Sequence, residues 1–398
     1  MEIIIGIFNI IFLLIFIYLG VYCLYLFLFS LSGKLISVLP PPATAQLHKF
    51  VIYIPAYRED AIILNTAASA TQLDYPQHLY HVCVIADSLQ PETVTRLKAM
   101  RLQVVEVVFE SSTKSKALHK AIENTADDFD VAVVYDIDNV AAPDFLQHIN
   151  RYIAAGNKVV QGHRVAKNTD TPIAILDAIS EEINNHIFRK AQRVFHLSAA
   201  IIGSGMALDY QLFKSVMLRI DAVGGFDKEM GLLLTRDRVS VAYSEAAIIY
   251  DEKVSQGDNF KNQRKRWLSA QFSLFGKYWK SGLAEFFKHG NRDYLNEVYH
   301  TAILPRVLML GIMPVMLAWS LTGIGPSWHW WLAATLLCYA AIVIAIPSSF
   351  FNKKLGKAVL KLPFIFFTML MLLFKLKGAN KKFIHTAHHT NDSGSVKP

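Results

Sequence analysis

The chain has 398 residues, of which 53% are hydrophobic and only 18% are charged, with 40 Lys and Arg residues against 32 Asp and Glu residues. Charged residues make up about a quarter of an ordinary soluble protein, so this composition favours a chain with membrane-embedded segments. The length and the three cysteines exclude a small disulfide-held protein, and the hydrophobic content excludes a disordered scaffold.

The net charge of +8 is concentrated near the C-terminus. Residues 301–398 contain ten Lys and Arg residues and one acid, so subtraction from 40 and 32 leaves 30 basic and 31 acidic residues before them. Basic residues that flank apolar segments indicate membrane topology, whereas a groove for nucleic acid needs a basic surface elsewhere. We therefore expect no nucleic-acid partner.

Two long apolar blocks predict membrane spans. Residues 3–33 contain no charged side chain and exceed the roughly 20 helical residues that cross a bilayer. We expect an uncleaved anchor and linker in residues 1–45, because the basic start and the cleavage site of a signal peptide are lacking. Residues 307–352 are also uncharged and are interrupted by Gly and Pro, which predicts two helices and a turn within residues 301–352.

A third apolar run, residues 362–374, is flanked by lysines on both sides. Its 13 residues are short for a span, and the positive-inside tendency places both lysine clusters in the cytoplasm. Residues 353–398 are therefore predicted to be an interfacial or re-entrant segment and a basic cytoplasmic tail. This gives three spans in the plasma or inner membrane, with residues 34–300 cytoplasmic; four spans are the alternative.

Residues 46–267 alternate short apolar runs with helix-permissive stretches such as SKALHKAIENTA. The runs are FVIYIPA (50–56), HVCVIAD (81–87), VVEVVF (104–109) and VAVVYD (131–136). They are continuous, as expected of strands that are covered on both faces. The pattern predicts an α/β domain with a parallel sheet, which binds its ligand outside the carboxyl ends of the strands. The chain contains no GxxxxGK[ST], GxGxxG or HExxH motif.

Asp136 and Asp138 follow the fourth apolar run at a spacing of two residues. In an extended chain, positions i and i+2 face the same way, so both carboxylates can approach one cation. One or two carboxylates completed by substrate phosphates are a common Mg²⁺ arrangement. The pair alone is a weak signal, but acids at the end of a buried run need either a cation or exposure to solvent.

The sequence Gln263-Arg264-Lys265-Arg266-Trp267 combines basic, amide and aromatic side chains. One interpretation is a solvated basic face that continues to the membrane. The other is a binding site in which Arg contacts a diphosphate and the indole stacks on a sugar.

Together these motifs resemble the membrane-embedded synthases and transferases of glycosyltransferase family 2, which include cellulose, hyaluronan and chitin synthases and ceramide glucosyltransferases. The resemblance covers roughly residues 48–280. Seven motifs carry it in chain order: Pro55-Ala56-Tyr57-Arg58-Glu59, Ala86-Asp87-Ser88, Lys114-x-Lys116-Ala117-Leu118, Asp136-Ile137-Asp138-Asn139, Gly203-Ser204-Gly205, Gly225-Phe226-Asp227-Lys228-Glu229-Met230 and Gln263-x-x-Arg266-Trp267. It implies a GT-A, Rossmann-like nucleotide-sugar domain in residues 46–267, between α-helical transmembrane segments.

The resemblance also implies roles for the matching positions. Those that would bind the nucleotide sugar are Ala56, Tyr57, Glu59, Asp87, Lys114, Lys116, Asp136 and Arg266. Those that would bind the acceptor are Gly203, Ser204, Gly205, Gln263 and Trp267. Asp138, with Asp136 nearby, would hold Mg²⁺ or Mn²⁺ at the diphosphate.

The catalytic base that the resemblance implies falls on Asp227 in preference to Asp237. Asp227 precedes Gln263 by 36 residues (263 − 227), which is close to the interval of the family, whereas Asp237 leaves 26 (263 − 237). Two positions depart from the family pattern. Phe226 replaces the usual Glu, and Arg58 stands where Asn is usual.

These expectations describe an inverting, metal-dependent hexosyltransferase that uses a nucleoside-diphosphate sugar. The leading prediction for the acceptor is a growing polysaccharide; the alternative is a membrane lipid that receives one sugar, and a non-catalytic glycan-binding protein is the third hypothesis. Residues 268–300 are rich in Phe, Trp and Lys and are predicted to form interfacial helices that contact membrane lipids. Because the spans are few for enclosing a polymer, a partner subunit or an oligomer is a further hypothesis.

Overall fold

The computed structural model describes residues 2–100, 102–253 and 257–375, without the side chains of 257–260, and these residues form two compact units. A helical unit contains residues 2–39, 168–199, 253 and 257–375. A sheet unit contains residues 40–100, 102–167 and 200–252. The predicted tail beyond residue 375 lies outside the described residues.

Strands and helices alternate along much of the chain between residues 50 and 251. The strands are β1 Phe50–Tyr57, β2 Tyr80–Asp87, β3 Gln103–Val107, β4 Val131–Val134, β5 Val140–Ala141, β6 Val159–Ala166, β7 Met206–Asp209 and β8 Ala242–Asp251. The helices are α1 Glu2–Leu35, α2 Asp60–Ala70, α3 Pro91–Ala99, α4 Lys114–Glu123, α5 Phe145–Ala154, α6 Pro172–Asn184, α7 Ala191–Val194, α8 Tyr210–Met217, α9 Phe226–Arg236, α10 Gly257–His289, α11 Arg292–Ala302, α12 Arg306–Ser320, α13 Trp328–Ala345, α14 Lys353–Val359 and α15 Leu362–Leu373.

Within the described residues of the sheet unit, eight strands form one sheet in the order β3-β2-β1-β4-β7-β6-β8-β5. The first four strands are parallel, as the apolar runs predict. The expectation of a wholly parallel sheet is wrong, because β7 runs antiparallel to β4 and β6, and β5 runs antiparallel to β8. The Gly205 N–H donates to the Val134 carbonyl at 2.8 Å, which starts β7 beside the end of β4 and sends it back along that strand.

Strand β1 lies inside the sheet and is covered on both faces. Ile52 and Tyr53 point to opposite sides of the strand and are both fully buried. Phe50 meets the ring of Tyr75 at 5.3 Å, and Tyr53 stacks on Phe213 at 5.9 Å between ring centroids. Burial on both faces explains why the strands are continuous apolar runs instead of alternating ones.

The helical unit contains the helices that are candidates for membrane spans. Among the described residues, α1 and α13 are each long and apolar enough to cross a bilayer. The bent pairs α11–α12 (71°) and α14–α15 (43°) bring the number to as many as four if each pair is one span. The predicted three spans fall within this range. Membrane location rests on length and composition, so the topology stays a prediction.

Residues 168–199 belong to the helical unit, although their position in the sequence predicts a place within the catalytic domain. Ile175, Ile179, Ile183 and Ile187 follow one another at four-residue spacing and continue from α6 into a π-helical turn. All four are buried in a core cluster that also contains Leu26 of α1. This apolar stripe packs on one helix face, so the segment joins the helical core.

Candidate functional site

The carboxyl ends of β1 and β2 lie side by side. Tyr57 is in register with Asp87, and Ala56 is in register with Ala86. Ala56 and Asp87 are almost fully buried, at 1% and 2% exposure, and Glu59 is 7% exposed at the start of α2. The structure therefore brings these four predicted nucleotide-sugar-binding positions to one edge of the sheet, where parallel sheets bind ligands.

The first residue beyond each of these strands has a left-handed backbone. Arg58 has φ 54° and Ser88 has φ 57°. The Arg58 N–H donates to the Asp87 carbonyl at 3.1 Å, and the Ser88 hydroxyl donates to Asp87 Oδ1 at 3.0 Å. Left-handed residues other than Gly cluster at functional sites. Asn adopts this conformation more readily than Arg, which accounts for the Asn that the resembling family usually carries at position 58.

Lys114, at the first turn of α4, joins two other predicted site residues. Its Nζ donates to Asp136 Oδ1 at 2.5 Å and to the Gly203 carbonyl at 2.7 Å. The same ammonium lies 5.4 Å from the centre of the Phe226 ring, at the position where the resembling family usually has Glu. The charge of Lys114 is therefore balanced by Asp136, and position 226 supplies a ring face.

Asp227 lies beside Gly203, since a Cβ built on Gly203 would stand 3.2 Å from the Asp227 Cβ. Loss of solvation raises the pKa of the Asp227 carboxyl above its ordinary value, the charge of Asp136 adds to this rise, and Lys228 and Lys114 oppose it. A carboxylate with a raised pKa is a stronger base, which suits proton removal from an acceptor hydroxyl. Lys114, Asp136, Gly203 and Asp227 thus form one cluster.

Asp237, the alternative base, occupies the opposite end of α9. Ten residues separate it from Asp227, which is about 15 Å at 1.5 Å per residue. Its carboxylate pairs with Arg219 at 2.5 Å and with Arg236 at 3.5 Å, and its side chain is 39% exposed. Asp237 is therefore a surface ion-pair residue, and the geometry favours Asp227.

The Asp136–Asn139 segment is a turn, so the expectation that both acids project from an extended chain is wrong. Strand β4 ends at Val134, and the Asn139 N–H donates to the Asp136 carbonyl at 3.2 Å. The turn leaves the Asp136 side chain 35% exposed and Asp138 only 4% exposed. The two carboxylates consequently have different surroundings, although they remain two residues apart.

The donor set of this turn fits a hard divalent cation. Asp136 and Asp138 supply carboxylate oxygens, and an ionised carboxylate offers about four lone-pair sites. Among the described residues, no three His, Cys, Asp or Glu side chains are grouped to hold a metal. Two carboxylates completed by the phosphates of a substrate is the mode that such a set allows.

Arg164 of β6 was not anticipated from the sequence. Its Nη1 lies 3.9 Å from Asp136 Oδ2, and its Nε lies 3.9 Å from Asp251 Oδ2 at the end of β8. The side chain is 11% exposed. Neither strand was recognised in the sequence, so no signal placed this guanidinium beside the acids.

The remaining predicted residues of the sheet unit divide into two groups. Gly203-Ser204-Gly205 forms a tight turn in which both glycines have positive φ, and the buried Ser204 Oγ has no hydrogen-bond partner among the described residues. Lys116 does not join the Lys114 cluster, because its Nζ donates to the Ser111 carbonyl at 2.9 Å. The Lys116 side chain therefore contacts the loop that precedes α4.

Gln263, Arg266 and Trp267 lie on α10 in the helical unit. The guanidinium of Arg264 lies over the Trp267 ring at 4.7 Å and donates to Asp177 of α6, which is 9% exposed. The indole of Trp267 is 36% exposed. The aromatic face is thus partly accessible and held by a neighbouring cation.

Comparison with known proteins identifies a family. The model of "Glycosyltransferase like family 2" matches residues 48–270, which is 223 of 398 positions and more than half of the chain. A comparison with curated protein sequences finds no match.

Two solved structures are similar to this chain, and the first of them shares its fold. The mannosyltransferase PcManGT from Pyrobaculum calidifontis, in complex with GDP-Man and Mn²⁺, is 14% identical, with a TM-score of 0.52 over 85% of this chain and 98% of that chain. Glucosyl-3-phosphoglycerate synthase from Mycobacterium tuberculosis, in complex with Mn²⁺, UDP and glucosyl-3-phosphoglycerate, is 19% identical, with a TM-score of 0.37 over 54% of this chain and 74% of that chain. The first likeness supports a mixed α/β core of the GT-A type, and by the family match the chain belongs to glycosyltransferase-like family 2.

Proposed function

We propose that this protein is an inverting membrane glycosyltransferase that moves a sugar from a nucleoside-diphosphate sugar to a glycan acceptor. The observation that carries the proposal is the convergence of Lys114, Asp136, Gly203 and Asp227 at the carboxyl edge of the sheet. Family membership supports the reaction class. The structure bound to GDP-Man and Mn²⁺ shares the fold.

Transfer needs one group to accept a proton and others to stabilise the departing diphosphate. Asp227 is the proposed base: its carboxylate takes the proton of the acceptor hydroxyl as that oxygen attacks the anomeric carbon. General base catalysis of this kind typically contributes about 10²–10⁴-fold. A single base implies direct displacement with inversion, because no second carboxylate is needed as a nucleophile.

Positive charge near the donor phosphates lowers the cost of their departure. The Lys114 ammonium is proposed to face the diphosphate, and Asp136 holds it in place at 2.5 Å. Preorganised charge of this kind acts without reorganisation during the reaction. Asp136 and Asp138 would hold Mg²⁺ or Mn²⁺, which supplies Lewis-acid stabilisation of the diphosphate. Ala56, Tyr57, Glu59 and Asp87 are proposed to receive the nucleoside.

Two acceptors fit this chemistry. A growing polysaccharide is the first proposal, in line with the synthases that the sequence resembles. A membrane lipid that receives a single sugar is the second, because the described residues contain only two to four candidate spans with which to enclose a polymer. Exposed Trp267 and Trp279 on α10 suit an acceptor site beside a bilayer in either case.

The proposal is tested with membranes that contain the protein and a panel of labelled nucleotide sugars, with and without Mn²⁺ or Mg²⁺. Transfer to any endogenous acceptor supports the enzyme, and the product size separates a ladder of long chains from one glycolipid. Asp227→Asn should bind the donor but transfer nothing, while Asp237→Asn serves as the matched control. Full turnover by purified Asp227→Asn would remove Asp227 from the role of base.

A further inference from the structure

The Asp136–Asp138 turn is held by a side chain that has no part in the proposed transfer. Asn139 is fully buried in the sheet unit. Its side-chain oxygen accepts the Asp136 N–H at 3.0 Å, and its amino group donates to Asp138 Oδ1 at 3.2 Å and to Asp251 Oδ1 at 3.1 Å. One amide therefore connects the backbone of Asp136, the carboxylate of Asp138 and the last residue of β8.

Asp138 is fixed at both carboxylate oxygens. Asn139 donates to Oδ1, and the backbone N–H of Glu252 donates to Oδ2 at 3.2 Å. Rotation of the carboxylate would break a buried hydrogen bond to a charged group, which costs more than the loss of a neutral one. An ionised carboxylate has about four lone-pair sites, which is more than these two hydrogen bonds use, so Asp138 can face a cation while its orientation is held.

Asp251 anchors the amide from the opposite side. Its side chain is 13% exposed, and its Oδ2 lies 3.9 Å from Arg164 Nε, while Arg164 Nη1 lies 3.9 Å from Asp136 Oδ2. A buried carboxylate is tolerated when cations and hydrogen bonds compensate its charge. The end of β8 is thus tied to the turn through Asn139 and through Arg164.

We propose that Asn139 is a positioning residue, which presents Asp136 and Asp138 to the divalent cation of the donor and uses Asp251 as its anchor. The inference rests on the proposed function and adds to it, because the sequence motif gives neither Asn139 nor Asp251 a role. Asn139 acts through the two carboxylates. Groups that orient metal-binding side chains typically change metal affinity by about 10–100-fold when they are removed.

The test measures Mn²⁺ affinity directly. Purified full-length protein is titrated with Mn²⁺ in the presence of UDP, and separately of GDP, and water-proton relaxation distinguishes the protein-bound ion from the free ion and from the nucleotide complex. Asn139→Ala should weaken Mn²⁺ binding about 10–100-fold. Asn139→Ser, which is too short to reach both carboxylates, should act in the same direction and serves if the alanine variant does not fold.

A matched control separates positioning from general destabilisation. Asn150 is 2% exposed in the same unit and hydrogen-bonds to His48 and Gln46, so Asn150→Ala should lower the melting temperature and leave Mn²⁺ affinity unchanged. If folded Asn139→Ala or folded Asn139→Ser binds Mn²⁺ with unchanged affinity, the positioning role of Asn139 is wrong, while the proposed function is unaffected. Wild-type protein that binds no Mn²⁺ with either nucleotide would overturn the metal-dependent function together with that role.

Discussion

Replacing Gly203 by alanine should lower activity by more than its effect on stability accounts for. Gly203 has φ +74°, a conformation that costs an L-residue about 1–2 kcal/mol. The new Cβ would lie 3.2 Å from the Asp227 Cβ and 3.2 Å from Phe226 Cε1, so these neighbours must give way by a few tenths of an ångström. Because Asp227 is the proposed base, its displacement should lower the rate of sugar transfer.

The size of the effect follows from the geometry. A misplacement of 1 Å costs on the order of 10²-fold in rate, so a shift of about 0.3 Å would cost about four-fold in kcat/KM. Gly156→Ala is the control, because Gly156 also has a positive φ of +87° but has nothing within 4 Å of its added Cβ. It should lose about 1–2 kcal/mol of stability and keep full activity.

The assay pairs thermal unfolding in detergent with donor-dependent transfer at saturating acceptor. Both variants should melt at a lower temperature than the wild type, and only Gly203→Ala should transfer more slowly. If Gly203→Ala were fully active, Asp227 would not lie at the reacting centre. An equal loss of activity in Gly156→Ala would instead assign the effect to stability.

Five further outcomes are expected. Because the pKa of Asp227 is raised, transfer should fall on acidification at a higher pH than an ordinary Asp gives, and a pH–rate profile measures this. At pH values above the raised pKa of folded-state Asp227, its ionised carboxylate destabilises the folded protein, and this destabilisation disappears below the pKa of Asp227 in the unfolded chain. The uncharged Asp227→Asn variant should therefore not melt at a lower temperature than the wild type at neutral pH. Asp237→Asn should change stability by at most about 1 kcal/mol and preserve transfer, since its ion pairs are exposed; lost transfer would make Asp237 the base. Arg189→Met should cost about 3–5 kcal/mol, because Glu181, 3.0 Å away and buried, loses a partner; an unchanged melting curve would contradict this. Arg58→Asn should raise the melting temperature, because Asn adopts a left-handed backbone at a lower cost than Arg, and a lower melting temperature would count against that strain.

Several features could be predicted because their signal is local. Strands β1, β2 and β4 are continuous apolar runs because they are buried on both faces, whereas β3 at the edge of the sheet is only partly buried. Ala56, Tyr57 and Asp87 lie directly at the ends of such runs, so the parallel sheet brings them together automatically. The long uncharged blocks likewise predict the candidate spans.

Other features leave no local signal. Strand β7 has four residues and β5 has two, which is too short for a periodic pattern. The stripe from Ile175 to Ile187 has helical spacing, but the sequence does not say which core it joins. Arg164 reaches Asp136 only because the sheet order places β6 two strands from β4.

The sequence by itself determined the family motifs, the α/β character of residues 46–167 and the apolar helices, because each depends on neighbouring residues. Only the tertiary structure showed that Asp227 lies beside Gly203 in the cluster with Lys114. It also showed that Asp136 and Asp138 lie in a turn, which Asn139 connects to the end of β8. Side chains from distant segments meet only when strand order and backbone direction are fixed. Those depend on packing of the whole sheet unit, which no single segment encodes.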